Sequence, residues 1–262
     1  MVFRWFTRRR WANIVAEPFP EQWRPHLESH FAYWSVLSPE EQRTLEGIVQ
    51  VLIADKHWEG CGGLQLTEAM QVIISVQAGL LILGHPPEGH HYYDNVDSIL
   101  VYPSTYVVPG GRGGADGTIS HDDRIVLGTA HMGGPVVLSW NSALKGGIDH
   151  RDGRNVVYHE FAHKLDMLDG AVDGAPTLEH PRDYADWAEV MSDAYTRLRA
   201  KVAKGRRTLI DAYGATEPAE FFAVATEHFF EQPRQVLKEE PELYRVLSSF
   251  YKQDPAKRLT AR

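Results

Sequence analysis

Val156-Val157-Tyr158-His159-Glu160-Phe161-Ala162-His163-Lys164-Leu165-Asp166 decides how the rest of the chain is read. Apolar residues recur at Val157, Phe161, Leu165 and Leu168, at spacings of three and four, the rhythm of a helix that buries one face. Inside that rhythm stands an HExxH motif. At ~100° per residue, His159 and His163 lie about 40° apart around the axis and one turn apart along it. Both imidazoles can therefore reach one Zn²⁺. Glu160 falls beside such a metal rather than on it, where its carboxylate can take a proton from a water held there. A catalytic zinc site needs three protein ligands and one open position, so the two histidines leave it incomplete.

Several groups downstream compete for the third place. Asp169 lies ten residues after His159, where metzincins carry their last ligand, but Asp166 stands where they need a glycine. Glu179 and His180 follow the turn 170–177 at no diagnostic spacing. A later helix opens at Thr216-Glu217-Pro218, where threonine can cap and proline suits the first turn, and it offers Glu220, Glu227 and Glu231. Glu220 and Glu227, seven apart, share a face, so spacing leaves both open.

Upstream, residues from about Glu21 to Leu83 read as helical, with starts at Ser38-Pro39-Glu40-Glu41 and Thr67-Glu68. The run Val72–Leu83, about twelve residues, is too short to span a bilayer of ~30 Å and reads as a buried helix. His57, Trp58, Cys61 and Gly62-Gly63 do not complete a zinc site and read as core packing and a turn. From Asp94 to Trp140 short β-branched and aromatic runs, Ser98–Tyr102, Thr105–Val108, Arg124–Leu127 and Pro135–Trp140, predict a small mixed sheet. The glycine-dense stretch 109–117 lacks the Gly-Lys-Ser/Thr ending of a phosphate loop and reads as a loop, a candidate lid. Val137–Ser139 is either an edge platform for an extended substrate or an internal strand. His121, His131 and His150 read as surface or hydrogen-bonded residues. Helices return over roughly 152–168, 181–204, 218–230 and 241–251.

Composition bounds these readings. The 262 residues are 43% hydrophobic and 24% charged, which excludes a disordered, collagen-like or coiled-coil chain. A net charge of −8 gives no broad attraction to nucleic acid or anionic membrane, so any such contact must be local. One cysteine, Cys61, makes no intrachain disulfide. Residues 1–10 place four arginines among bulky apolar residues without the apolar core of a signal peptide, and a cytoplasmic location is expected. The expected organisation is a flexible arm over 1–17, one domain over 18–255 with a helical part to about 93 and a catalytic part from about 94, and a tail over 256–262. No helix-turn-helix or basic recognition helix is apparent, so direct nucleic-acid binding is not expected.

His159–Asp166, then Tyr213-Gly214, then Pro218-Ala-Glu-Phe-Phe-Ala-Val-Ala-Thr-Glu-His-Phe-Phe230 together resemble the Mlc titration factor A family of bacterial zinc metallopeptidases, with similarity from about Pro18 to Pro255. The same blocks resemble the protease domain of anthrax lethal factor. The resemblance implies an α+β, zincin-like fold with an HExxH helix and additional amino- and carboxy-terminal helices. It implies a gluzincin centre: His159, His163 and Glu220 as ligands of one zinc, Glu160 as general base, and Tyr213 donating to the oxyanion. It further implies aminopeptidase-like hydrolysis of peptides and binding to the glucose repressor Mlc, which influences expression of the glucose phosphotransferase system. The alternative is a non-catalytic protein that sequesters the repressor and keeps zinc as a structural clip.

Overall fold

The computed structural model describes residues 2–86, 91–104 and 134–259. The expected runs Thr105–Val108 and Arg124–Leu127, the 109–117 loop, His121 and His131 lie outside the described residues.

Two long helices form the base of the core. Helix α3 (Pro39–Asp55) starts with a reciprocal cap, Ser38 accepting from the Glu41 N–H while the Glu41 carboxylate accepts from the Ser38 N–H, with Pro39 in the first turn. Helix α4 (Glu68–Ile82) is capped by Thr67, and every residue from Val72 to Ile82 is buried, as the apolar run predicts. The two approach closely at Gly79, where an added Cβ would stand 2.8 Å from Leu45 Cδ1 and 3.0 Å from Ile48 Cγ2. Helix α4 also packs against α2 (Arg24–His30), α5 (Trp140–Ile148) and α6 (Val156–Asp166). It thus forms the floor beneath the HExxH helix.

Among the described residues the sheet has three strands in the order β1 (His57–Gly60), β2 (Ser98–Tyr102), β3 (Val136–Ser139). Both pairings are parallel, with His57 opposite Ser98 and Ile99 opposite Val136. The sheet expected as mixed is therefore parallel over these strands. β1 corrects the helical reading of Glu21–Leu83: His-Trp-Glu-Gly carries no apolar alternation, and it is extended because its backbone pairs with β2, about forty residues away in sequence. β3 stands at the end of the described order, yet all four of its residues are buried.

The remaining helices are α7 (Asp183–Ala203), α8 (Pro218–Glu231), α9 (Pro233–Glu239), α10 (Pro241–Tyr251) and α11 (Pro255–Arg258). Phe229, Phe230, Tyr244 and Tyr251 form an aromatic cluster between α8 and α10, and Tyr33 donates to the Phe230 carbonyl beside it. Residues 2–16, expected as an arm, form helix α1 (Val2–Ala16) against α3, with Trp11 buried. The expected tail begins inside α11, where Ala256 is buried.

Candidate metal centre

Helix α6 starts at Asn155, a buried residue whose side-chain oxygen accepts from the Val157 and Tyr158 N–H groups. The Asn155 amide in turn donates to Gln77 Oε1 of α4 at 3.0 Å. Two carboxylates of α8 meet the same amide-rich start: Glu227 Oε2 accepts from the Asn155 N–H at 2.6 Å, and Glu231 Oε2 from the Gly153 and Arg154 N–H groups at 3.1 and 3.2 Å. Exposed N–H groups and the positive helix end favour such anions. At Glu231 burial, and after it the charge of Asp152, outweighs that preference and pushes the group up to about 10, so it keeps its proton at neutral pH.

Glu227 has a second contact, Oε1 lying 2.8 Å from His159 Nδ1. A carboxylate there accepts a hydrogen bond from Nδ1–H and so holds the proton on that nitrogen, which leaves Nε2 as the lone-pair nitrogen. Nε2 of His159 lies 3.2 Å from Nε2 of His163 and 3.0 Å from Glu220 Oε2, and His163 Nε2 lies 3.5 Å from the same oxygen. Glu220 Oε2 is buried and forms no hydrogen bond among the described residues. Three electron-rich atoms crowded this way repel one another unless a positive charge sits among them.

The donor set fits zinc. Tetrahedral ligands at zinc distances of 2.0–2.1 Å stand about 3.3 Å from one another, and the three separations bracket that value. The protonation of the metal-free centre agrees: burial opposes charge on His159, but the Glu220 and Glu227 carboxylates outweigh it and push it up to about 10. Burial alone would raise Glu220, whereas His159 and His163 hold it well below the usual carboxylate range. A positive charge is thus favoured where the three meet.

The other sequence candidates lie elsewhere. Asp169 is exposed and accepts from the Ala171 N–H; Glu179 and His180 are exposed, with Glu179 paired to Lys252 at 2.6 Å. Asp166 is buried and accepts from the Gly174 N–H at 2.9 Å. Glu160 follows His159 on α6, with His159, His163 and Glu220 acting electrostatically on it; burial raises it above the ordinary carboxylate range despite the two histidines. Tyr213 sits in the 3₁₀ turn Ala212–Ala215, half-buried, its ring centroid 6.1 Å from that of His159. Thr216 does not cap α8: its hydroxyl donates to the Tyr213 carbonyl, and Glu217 holds the cap position, with Pro218 in the first turn as expected.

Asn155, Gln77 and Lys164 escaped the sequence reading. Lys164 is buried, and its Nζ donates to the Gly134 carbonyl at 2.9 Å, tying α6 to the entry of β3. Two of them had a signal: Asn155 is a good capping residue just before an apolar rhythm, and Gln77 is a polar side chain inside an apolar helix. A cavity of about 630 Å³ lies elsewhere on α6, lined by Ile82, Leu165, Leu168, Trp187 and Phe250 and by none of the three convergent side chains. No helix among the described residues is long and apolar enough to cross a membrane.

Residues 3–252 match the family model described as glucose-regulated metallo-peptidase M90. The chain is 33% identical over 244 residues to an uncharacterized protein, slr2042, of Synechocystis, covering 93% of this chain and 88% of that one. It is 32% identical over 256 residues to Mlc titration factor A of Yersinia enterocolitica, covering 95% and 93%. With Mlc titration factor A of Serratia proteamaculans it shares 33% over 258 residues, covering 97% and 94%.

Proposed function

The chain belongs to the M90 family of glucose-regulated metallopeptidases, and we propose that it hydrolyses peptide bonds at a single zinc held by His159, His163 and Glu220. The observation that carries this reading is the convergence of two imidazole nitrogens and one carboxylate oxygen within coordinating distance of one another. Two neutral imidazoles and one carboxylate would leave a bound Zn²⁺ with a net positive charge, and the metal would contribute Lewis acidity toward a water and a scissile carbonyl.

The chain's own groups have distinct tasks. Glu160 accepts the proton of the attacking water and passes it to the leaving amine; its raised affinity for protons brings it nearer the working range of a general base at neutral pH. The Tyr213 hydroxyl donates to the oxygen on which negative charge develops, an interaction worth more in the transition state than in the ground state. Glu227 keeps His159 in the tautomer that turns Nε2 inward. Aminopeptidase-like action on short peptides rests on the sequence resemblance alone.

A second role, binding the repressor Mlc in the cytoplasm, is favoured by the name that the Yersinia and Serratia relatives carry. One substitution separates the two. Glu160→Gln should keep zinc and fold yet abolish hydrolysis of chromogenic aminoacyl and peptide substrates. Wild-type turnover by that variant would remove Glu160 from the mechanism. A wild-type protein that holds zinc, cleaves none of these substrates and still binds Mlc would leave the zinc as a structural clip.

A further inference from the structure

Tyr213 reaches the centre from a turn that is held at several points. Asp211 Oδ1 accepts from the Tyr213 N–H at 2.9 Å, and the Asp211 carbonyl accepts from the Gly214 N–H at 3.0 Å, so this residue caps the 3₁₀ turn Ala212–Ala215. Beyond the tyrosine, Thr216 closes onto the Tyr213 carbonyl twice, with its N–H at 3.1 Å and its hydroxyl at 2.7 Å. The Tyr195 hydroxyl of α7 donates to the Ala215 carbonyl at 3.4 Å. A backbone pinned in this way has little freedom at residue 213, and it fixes the direction in which the tyrosine side chain leaves.

The second oxygen of Asp211 faces a different element. Oδ2 lies 3.1 Å from Nη2 of Arg154, 57 residues away in sequence. Arg154 directly precedes Asn155, the cap of α6, and its own backbone is held: its N–H donates to Asp152 Oδ1 at 2.9 Å and to Glu231 Oε2 at 3.2 Å. One carboxylate thus bridges the tyrosine turn to the start of the helix that carries His159 and Glu160. Both ends of the bridge are fixed, so it helps to set the 6.1 Å between the rings of Tyr213 and His159. Stability does not account for it. The Arg154 side chain is 54% exposed and that of Asp211 20%, and an ion pair so open to water contributes little to folding.

We propose that Asp211 and Arg154 are positioning residues: the carboxylate that caps the turn and the guanidinium that ties it to α6 together hold the Tyr213 hydroxyl where it meets the oxygen it donates to. The inference rests on the peptidase reading for what the hydroxyl does, and on the hydrogen bonds above for how it is held. A misplacement of about 1 Å at a reacting centre costs on the order of 10²-fold in rate, and loss of one oxyanion donor costs about 10²–10³-fold. Undoing the bridge should therefore cost no more than removing the hydroxyl.

Asp211→Asn separates the two tasks. Its one side-chain oxygen still accepts from the Tyr213 N–H, while its NH₂ turns toward the Arg154 guanidinium, donor against donor. Arg154→Ala removes the tie from the other end. Both variants are expected to keep the wild-type unfolding midpoint and zinc stoichiometry, and to lower kcat on a peptide substrate roughly ten- to a hundredfold with KM little changed; Arg154→Lys should restore most of the loss. In a Tyr213→Phe background the same substitutions should change kcat by less than about twofold, because the hydroxyl they position is gone. Crystal structures of metal-free wild type and Arg154→Ala give a readout that needs no turnover: the Tyr213 ring should shift by about 1 Å or more from its place beside His159. Wild-type kcat in both variants, an equal loss with and without the Tyr213 hydroxyl, or an unmoved ring in Arg154→Ala overturns the proposal. A wild-type protein that cleaves no peptide, with the ring displaced in Arg154→Ala, would overturn the peptidase reading while upholding the positioning.

Discussion

Replacing Glu227 tests how the centre is held, because its two oxygens serve different partners. Oε2 takes the Asn155 N–H at 2.6 Å and Oε1 faces His159 Nδ1 at 2.8 Å. In Glu227→Gln only one oxygen remains. The Asn155 amide is fixed by the backbone and can only donate, so the glutamine oxygen must turn to it, and the glutamine NH₂ then faces Nδ1. That nitrogen is forced to accept, the imidazole proton moves to Nε2, and the atom that should meet the metal is blocked. Losing such a partner of a metal-bound histidine typically costs 10–100-fold in affinity, or about 1.4–2.7 kcal/mol. Glu227→Ala loses zinc affinity to a similar degree and also leaves the Asn155 N–H without its acceptor, at a cost of about 1–3 kcal/mol in the stability of the metal-free protein. Competition against a chromophoric chelator measures the first quantity, and urea unfolding of chelator-treated protein the second. The expected pattern is weakened zinc binding in both variants with a stability loss in alanine alone; wild-type zinc affinity in Glu227→Gln would refute the tautomer reasoning.

Three other outcomes are expected. Tyr213→Phe should lower kcat by about 10²–10³-fold with KM little changed, as for loss of one oxyanion donor, and steady-state kinetics on a peptide substrate would show whether KM moves instead. Burial, and then the Asp173 charge, raises Asp166 from 3.8 to about 6 against the pull of the Gly174 N–H. The folded state therefore binds the proton more tightly than the unfolded chain, and this contribution is fully present below pH ~4 and lost as pH rises through about 6, by on the order of 3 kcal/mol in all. Urea unfolding of wild type and Asp166→Asn at pH 4.5 and 8 should show the variant gaining relative stability at the higher pH; a constant difference would contradict the shift. Gly174 has φ +78°, and an added Cβ would stand 2.5 Å from the Pro218 carbonyl at the start of α8. Gly174→Ala should cost about 2 kcal/mol or more in chemical denaturation and displace the helix that carries Glu220.

The HExxH helix was legible because an apolar rhythm and two histidines one turn apart are both local properties. Helix α8 was legible for the same reason, from Pro218 at its start to Phe230. Which of its glutamates joins the histidines was not, since Glu220 and Glu227 share a face and only the crossing of α8 over α6 puts one beside both Nε2 atoms and the other behind Nδ1. Strand β1 was missed because His57–Gly60 is extended by pairing with a distant segment, not by its own residues. Parallel pairing is likewise a property of connections rather than of strand composition. In α1 the run of arginines hid the inner row of Trp11 and Ile14, whose value depends on α3 and Tyr92 being there to receive them.

Anomalous diffraction at the zinc edge from crystals of zinc-loaded protein tests the central claim most directly. One peak per chain is predicted, about 2.0–2.2 Å from Nε2 of His159, Nε2 of His163 and a carboxylate oxygen of Glu220. A peak held by other residues, or none at this convergence at full zinc loading, would contradict it.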